Sequence, residues 1–289
     1  MKAPPFAYVR ARSLAEALDL LEHHGHDGES AKILAGGQSL MPALNMRLSS
    51  PEVLIDISRL QEQAGIQVKD HHVHIGALTT HAAIGTSADI RKYLPLLADA
   101  VEHIAHPAIR NSGTFGGSLA MADPAAEWPA CCVALDAQIV LAGKAGTHRV
   151  ASIDFFQGLY ATAMQPNEII TEVVIPIPAA GTRHAFLELA RRRGDYAIVG
   201  VAALASFSGN ALSAVRLTFL GASDKPASAE KTSQVFVNKG FSEASLKEAQ
   251  DLLATEIDPS ADLYTSADTK MHLARVLIGR VMNQLVAQR

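Results

Sequence analysis

Cysteine is almost absent from this chain. Its 289 residues include two, Cys131 and Cys132, and they are adjacent. That pair offers no disulfide framework, which fits a reducing, cytoplasmic setting. It also excludes an iron–sulfur cluster held by this chain alone, because such clusters ordinarily take four Cys ligands. An excess of either charge is missing too. The chain has 25 Lys+Arg and 29 Asp+Glu, for a formal net charge of −4. No electrostatic case arises for binding nucleic acid or an anionic membrane. No apolar run reaches the length of a membrane span. The N-terminus lacks the basic segment and apolar run of a secretory signal. Three fingerprints are also missing: Gly-x-Gly-x-x-Gly, Gly-x-x-x-x-Gly-Lys-Ser/Thr and Gly-x-Ser-x-Gly. Their absence leaves a Rossmann site, a P-loop and a nucleophile elbow unsupported.

The chain instead carries an ordinary globular composition, 48% hydrophobic and 19% charged, at a length that suits two or three domains. Two glycine-rich stretches stand out. The first is Ala35-Gly36-Gly37-Gln38-Ser39-Leu40, after the apolar pair Ile33-Leu34. The second is Ile109-Arg110-Asn111-Ser112-Gly113-Thr114-Phe115-Gly116-Gly117-Ser118, continuing to Ala122-Asp123-Pro124. Paired glycines allow tight turns and close approach to a ligand. Their N–H groups can form a concave nest for an anion. Two such nests suit a ligand with two phosphates, such as a dinucleotide, and Ser39, Thr114 and Ser118 add hydroxyls. Simple turns are the bland alternative for any one Gly-Gly pair.

Local signals outline the organisation. Ser13-Leu14-Ala15-Glu16 reads as a capping box. Leu14, Leu18 and Leu21 follow at helical spacing, with Gly25 as a stop. Val53–Ile57 reads as a strand closing a first lobe, residues 1–58. In a second lobe, 59–177, Val73, Ile75 and Ala77 alternate as in a strand. Helical patterning covers 79–86 and 93–105, and Cys132–Leu141 and Glu172–Ile175 read as further strands. Pro176, Pro178 and Gly181 mark a boundary. A third segment, 178–289, shows strand-like runs at Val199–Phe207 and Val215–Leu220. Two helices follow, one from Ser242 and one carrying Leu273, Leu277, Val281 and Leu285.

With these residues in view, the chain resembles the FAD-binding medium subunit of the molybdenum hydroxylases, the carbon monoxide dehydrogenase and xanthine dehydrogenase group. That family uses an A-G-G-x-S loop and an I-R-N-x-G-T-x-G-G segment to grip the FAD pyrophosphate. Further matches are Phe155-Phe156-x-Gly158 before Thr162, and Glu168-Ile169-Ile170 leading to Val173-Val174-Ile175-Pro176. Arg191-Arg192-Arg193-Gly194-Asp195-Tyr196-Ala197 before Val199-Gly200-Val201-Ala202 is another. Gln38 departs from the family, standing where a His is common. The resemblance implies an α+β chain: a PCMH-type FAD-binding fold of two α/β lobes, plus a C-terminal domain with a small antiparallel sheet and helices.

The FAD-binding set that the resemblance implies is Ala35, Gly36, Gly37, Gln38, Ser39, Leu40, Ile104, Thr114, Gly116, Gly117, Ser118, Glu127, Ile170, Asp195 and Tyr196. No residue is assigned a catalytic or metal-binding role. Each assignment has a structural alternative. Asp123 is expected to cap the helix begun by Asp123-Pro124-Ala125-Ala126. Glu127 reads either as a flavin contact or as a cap. Ile170 reads as a ring contact, strand core or both. Tyr196 lies near the isoalloxazine by resemblance, or packs in the core. Histidines cluster at 23, 24 and 26, at 71, 72 and 74, and at 103 and 106; the first two clusters fall in loops or on alternate strand faces, which argues against a metal centre.

The functional reading is an electron-transfer flavoprotein subunit. By resemblance, a small subunit with 2Fe–2S clusters delivers electrons to FAD, which passes them to NAD, a quinone or oxygen. A molybdopterin large subunit oxidises the organic substrate, and the assembly is a dimer of heterotrimers. Two other readings stay open. One is a self-sufficient FAD oxidoreductase, against which the 183–289 segment shows no clustered acid/base set. The other is a nucleotide-binding module without redox function.

Overall fold

The computed structural model describes residues 2–25 and 29–288. His26 of the first histidine cluster lies outside the described residues. The chain is α+β and builds three principal sheets. The first joins β1 (Ala7–Arg10), β2 (Ala31–Leu34) and β3 (Val53–Asp56), all parallel, in the order β1-β3-β2. Its helix, Leu14–His24, starts where the sequence signals. Ser13 Oγ accepts from the Glu16 N–H. The Glu16 carboxylate reaches back one residue further than a capping box, to the Arg12 N–H at 2.7 Å. The Gly25 N–H closes the helix onto the Leu21 carbonyl. Ala17, Leu18 and Leu21 are buried on this helix, and they share an apolar cluster with Val53 and Ile55 of β3.

The second group of strands is β4 (Ile66–Lys69), β5 (His72–Gly76), β6 (Gln138–Gly143), β7 (Gly146–Ala151), the short hairpin β8 (Phe156–Gly158) and β9 (Ala161–Thr162), and β10 (Ile169–Pro176). Five of these form an antiparallel sheet in the order β4-β5-β10-β6-β7. The latest strand in sequence, β10, is central and pairs with β5 on one side and β6 on the other. The helices between β5 and β6 are short: His81–Thr86, Ala88–Tyr93, Pro95–Ala100, Pro107–Arg110, Phe115–Met121 and Glu127–Ala134.

The segment Cys132–Leu141, expected as one strand, is split between the end of a helix and the start of a strand. Cys131 and Cys132 lie in the helix Glu127–Ala134, and the strand begins only at Gln138. Every residue of this helix is buried, so it has no polar stripe to reveal a helical period. A short all-apolar run carries no signal that separates helix from strand. The helical patterning expected over 93–105 likewise resolves into a shorter helix, Pro95–Ala100.

The C-terminal sheet is antiparallel: β11 (Arg183–Ala190), β12 (Ala197–Ser208), β13 (Ala211–Leu220) and β14 (Ala227–Ser228). Val199, Val201, Ala203, Leu217 and Phe219 pack with the helices Glu230–Lys239, Glu243–Leu253 and Ala267–Ala287. Phe186, Ala202 and Leu220 join the core of the preceding lobe instead. Burial on both faces explains why β12 reads as an unbroken apolar run rather than an alternation. Leu78, Ala142 and Ile169 in turn belong to the apolar cluster of the first lobe.

The central strand β3 carries the first sheet, and Ile55 on it is 0% exposed. Ile55→Ala is expected to cost about 2–5 kcal/mol through lost burial and an unfilled cavity. A urea titration checks this, with a lowered midpoint as the expected result.

Candidate functional site

The first glycine loop leaves the end of β2 and turns at Gly37, whose φ of +69° suits glycine. Ser39 then leads into the helix Leu40–Asn45, with its hydroxyl making no cap bond. The Gly37 and Ser39 carbonyls accept from Met41 and Ala43, and the Gln38 side chain donates to the Gly36 carbonyl at 2.9 Å. Among the described residues, the N–H groups of Gly36, Gly37, Gln38 and Ser39 donate to no protein acceptor. Four successive unpaired N–H groups at a turn form a backbone site suited to an anion. Gln38 therefore braces the loop through its own backbone.

The second stretch behaves differently. The Gly116 N–H donates to the Ala77 carbonyl at 2.8 Å, and the Gly117 N–H to Thr114 Oγ1 at 3.2 Å. The Ser118 N–H donates to the Thr114 carbonyl within the helix Phe115–Met121. Most of the expected second nest is thus spent on the fold. The glycine at 116 serves close packing: a Cβ there would lie 2.6 Å from the Ala77 Cβ. At 117 a Cβ would meet Thr114 Oγ1 at 2.7 Å. The sequence pattern marks both loops alike, but only the first keeps its donors free.

The two loops touch through their backbones. A Cβ on Gly36 would sit 2.1 Å from the Ser112 carbonyl oxygen and 2.9 Å from the Gly113 Cα. Gly113 is held from behind by His81, whose backbone N–H donates to the Gly113 carbonyl at 3.0 Å. The loops therefore form one continuous backbone seam.

Beyond the seam, the lobe meets the C-terminal sheet at a group of acids and tyrosines. Asp123 does not cap the next helix as expected. Its Oδ1 accepts from Ala125 at 2.9 Å in a local turn, and the helix begins later with Ala126 as N-cap. Glu127 is 8% exposed. Burial pushes its carboxyl up to about 7, opposed by its own N–H and assisted by the Asp123 charge. Glu188 on β11 is pushed up to about 8, by burial and then by Glu127. Its Oε2 is buried without a hydrogen-bond partner. Glu188 was not expected from sequence. The signal available was a lone carboxylate in the apolar run Ala185-Phe186-Leu187-Glu188-Leu189. Tyr160 and Tyr196 lie within reach of the same charges, and partial desolvation of these largely exposed rings, followed by the Asp123 charge, raises both phenols.

Tyr196 is 73% exposed, which removes the core-packing alternative. The turn before it is fixed by Gly194, with φ +79° and no room for a Cβ, which would meet the Ala105 carbonyl at 2.6 Å. Asp195 Oδ1 accepts from the Tyr196 N–H, and its Oδ2 lies 3.3 Å from Arg192. Arg193 reaches Glu102 at 2.8 Å across the lobe boundary. On the facing segment, Ile104 is buried, and Arg110 donates to the Ile104 and Ala105 carbonyls. Ile170 is buried in the second lobe's core while its neighbour Ile169 faces the first. The register shift between Ile170 and Glu172 lets Thr171 accept from Ala77, the residue that also holds Gly116.

Among the clustered histidines, His74 pairs with Glu172 at 3.0 Å, and the tilted ring of His103 lies against Phe186. A cleft of about 210 Å³ lined by Leu135, Pro176, Thr182, Leu204 and Arg216 contains none of the expected site residues.

Two outcomes test this geometry. Gly36→Ala should force the seam open and cost about 1–3 kcal/mol by overpacking, seen as a lowered melting temperature. Glu188 is a carboxyl whose folded pKa is raised from 4.5 to about 8. Its contribution to stability is full below the unfolded value and is lost as pH rises through the folded one. Glu188→Gln should flatten the decline in melting temperature between pH 5 and 8. A variant with the wild-type slope would count against this.

Comparison with known proteins bears on both halves of the chain. Residues 4–178 match the family of FAD-binding domains in molybdopterin dehydrogenases. Residues 184–285 match the C-terminal domain of carbon monoxide dehydrogenase flavoproteins. The chain is 38% identical to the 6-hydroxypseudooxynicotine dehydrogenase complex subunit alpha of Paenarthrobacter nicotinovorans, covering 98% of this chain and 95% of that one. It is 36% identical to the carbon monoxide dehydrogenase medium chain of Hydrogenophaga pseudoflava, covering 98% of each. A solved carbon monoxide dehydrogenase from that organism superposes with a TM-score of 0.95 at 36% identity, covering 99% of both chains. Quinoline 2-oxidoreductase from Pseudomonas putida 86 does so at 0.92 and 35%, covering 99% of this chain and 98% of that one. The chain belongs to the family of FAD-binding medium subunits of the molybdenum hydroxylases, an oxidoreductase family.

Proposed function

We propose that this chain is the electron-transfer subunit of a molybdenum hydroxylase complex, holding FAD on the seam between its two glycine loops. The observation that carries this is the first loop's row of unpaired N–H groups, pressed by Gly36 against Ser112 and Gly113. Gly36, Gly37, Gln38 and Ser39 would bind the pyrophosphate through backbone N–H groups. Ala35 and Leu40 flank that turn. The Ser39, Thr114 and Ser118 hydroxyls lie on the loops, and Gly116 and Gly117 let the second loop pack closely. Ile104, Glu127, Ile170, Asp195 and Tyr196 would surround the flavin end, with exposed Tyr196 screening it. FAD supplies the redox chemistry when bound, and the protein supplies grip, orientation and electrostatics. The division into lobes 1–58 and 59–177 and a C-terminal domain 178–289 is part of the same proposal.

Electrons would come from 2Fe–2S clusters in a small partner subunit and leave to NAD, a quinone or oxygen. A molybdopterin large subunit would oxidise the organic substrate, within a cytoplasmic dimer of heterotrimers. Two features support partners: this chain has only two cysteines, both buried, and one relative is named as a subunit of a dehydrogenase complex. Among the described residues, no helix is long and apolar enough to cross a membrane.

The test is reconstitution. The isolated chain should bind FAD and release all of it on acid precipitation, yet leave the complex's substrate unoxidised until both partners are added. Substrate turnover by the isolated chain, free of iron and molybdenum, would reject the proposal in favour of a single-chain oxidoreductase. A variant separates grip from tuning. Tyr196→Ala should retain FAD but change flavin fluorescence or the rate of reoxidation, and unchanged values of both would remove Tyr196 from the site.

A further inference from the structure

His81 is 6% exposed, and the single tryptophan of the chain, Trp128, is fully buried beside it. Trp128 Nε1–H donates to His81 Nδ1 at 2.9 Å. An indole nitrogen can only donate. His81 Nδ1 must therefore carry a lone pair, and a neutral ring must carry its proton on Nε2. Burial, and then the Arg110 charge, lower the imidazole to about 4, so the ring is neutral at ordinary pH.

The Nε2–H then needs an acceptor, and among the described residues the protein provides none. Its position is defined by Gly113, since a Cβ there would lie 2.7 Å from His81 Nε2. Gly113 is also where the first loop rests, through Gly36. The donor therefore sits beside the meeting point of the two loops. Arg110, the nearby cation, is already engaged with the Ile104 and Ala105 carbonyls.

We propose that His81, held by Trp128 with its proton on Nε2, is a further binding residue of the dinucleotide site and donates that hydrogen bond to a phosphate oxygen beside the closed Gly36–Gly113 seam. This rests on the FAD reading above. An acceptor-only anion matches a fixed donor, and this N–H has no protein acceptor among the described residues yet is not sealed from solvent, so a ligand oxygen can reach it. Neutral N–H groups from the first loop and from His81 would then converge on the phosphate without a positive side chain. Trp128 acts as the positioning residue, selecting the tautomer from the helix that also carries Glu127.

The test uses the full chain titrated with FAD. With 15N-labelled histidine, the His81 Nε2–H resonance should shift and become protected from exchange when FAD is added. His81→Phe fills the space without a donor, and should weaken FAD binding about tenfold or more while moving the 31P resonances of bound FAD. His81→Gln restores a side-chain N–H and should recover most of the affinity. Trp128→Phe should leave the ring in place but admit the other tautomer, with a smaller loss. A wild-type Nε2–H signal indifferent to FAD would overturn the proposal even if the variants fail to fold. So would a folded His81→Phe chain with wild-type affinity and an unchanged 31P spectrum. Failure of the wild-type chain to bind FAD would strike the reading of the site itself, not the role of His81 alone.

Discussion

The contact on which the site depends is one between backbones with no side chain to separate them. Gly36 rests on the Ser112 carbonyl and Gly113 so closely that a methyl group would lie 2.1 Å from that oxygen. It brings a loop from a parallel three-stranded sheet onto a segment that leans on an antiparallel five-stranded one. Everything else at the seam follows from keeping these backbones in place. Gly116 hangs on Ala77, Ala77 hangs on the register shift in β10, and His81 braces Gly113 from behind.

This arrangement assigns the glycines different work. In the first loop they leave N–H groups free and allow a positive φ. In the second they remove volume so that a helix can start against β5 and its extension. A backbone donor satisfied inside the fold is unavailable to a ligand, whereas one left open at a turn retains its full capacity. Anion binding would thus come mainly from the first loop, with the second acting as its support.

The opposite end of the site is built on charge. Glu127 on its helix and Glu188 on β11 are both withdrawn from water, the Glu127 charge raises the proton affinity of Glu188, and the Asp123 charge raises that of Glu127. Burying like charges costs stability unless one is neutralised. The pair therefore favours a protonated state near neutral pH at the seam between lobe and C-terminal sheet. Exposed Tyr196 sits at the rim of the same region, on a turn anchored by Gly194 against Ala105.

Local signals sufficed for much of the chain. Ser13 and Ser242 start helices, β3 and β5 follow apolar runs, and the glycine loops lie where their residues place them, because capping, strand alternation and left-handed turns are decided within a few neighbours. The two cysteines fall short of the four thiolates an iron–sulfur cluster ordinarily takes, which is a matter of counting. Other features depended on the tertiary structure. Trp128 and Cys132 lie in a helix buried on every side, so its period was erased from the sequence. Asp123 turns locally instead of capping, because the helix starts at Glu127. The spent donors of Gly116 and Gly117, the buried Glu188 and the fixed tautomer of His81 involve partners from 3 to over 60 residues away. The sequence could name the residue types the site required, but chain folding decided which hydrogen-bonding groups would be consumed and which left open.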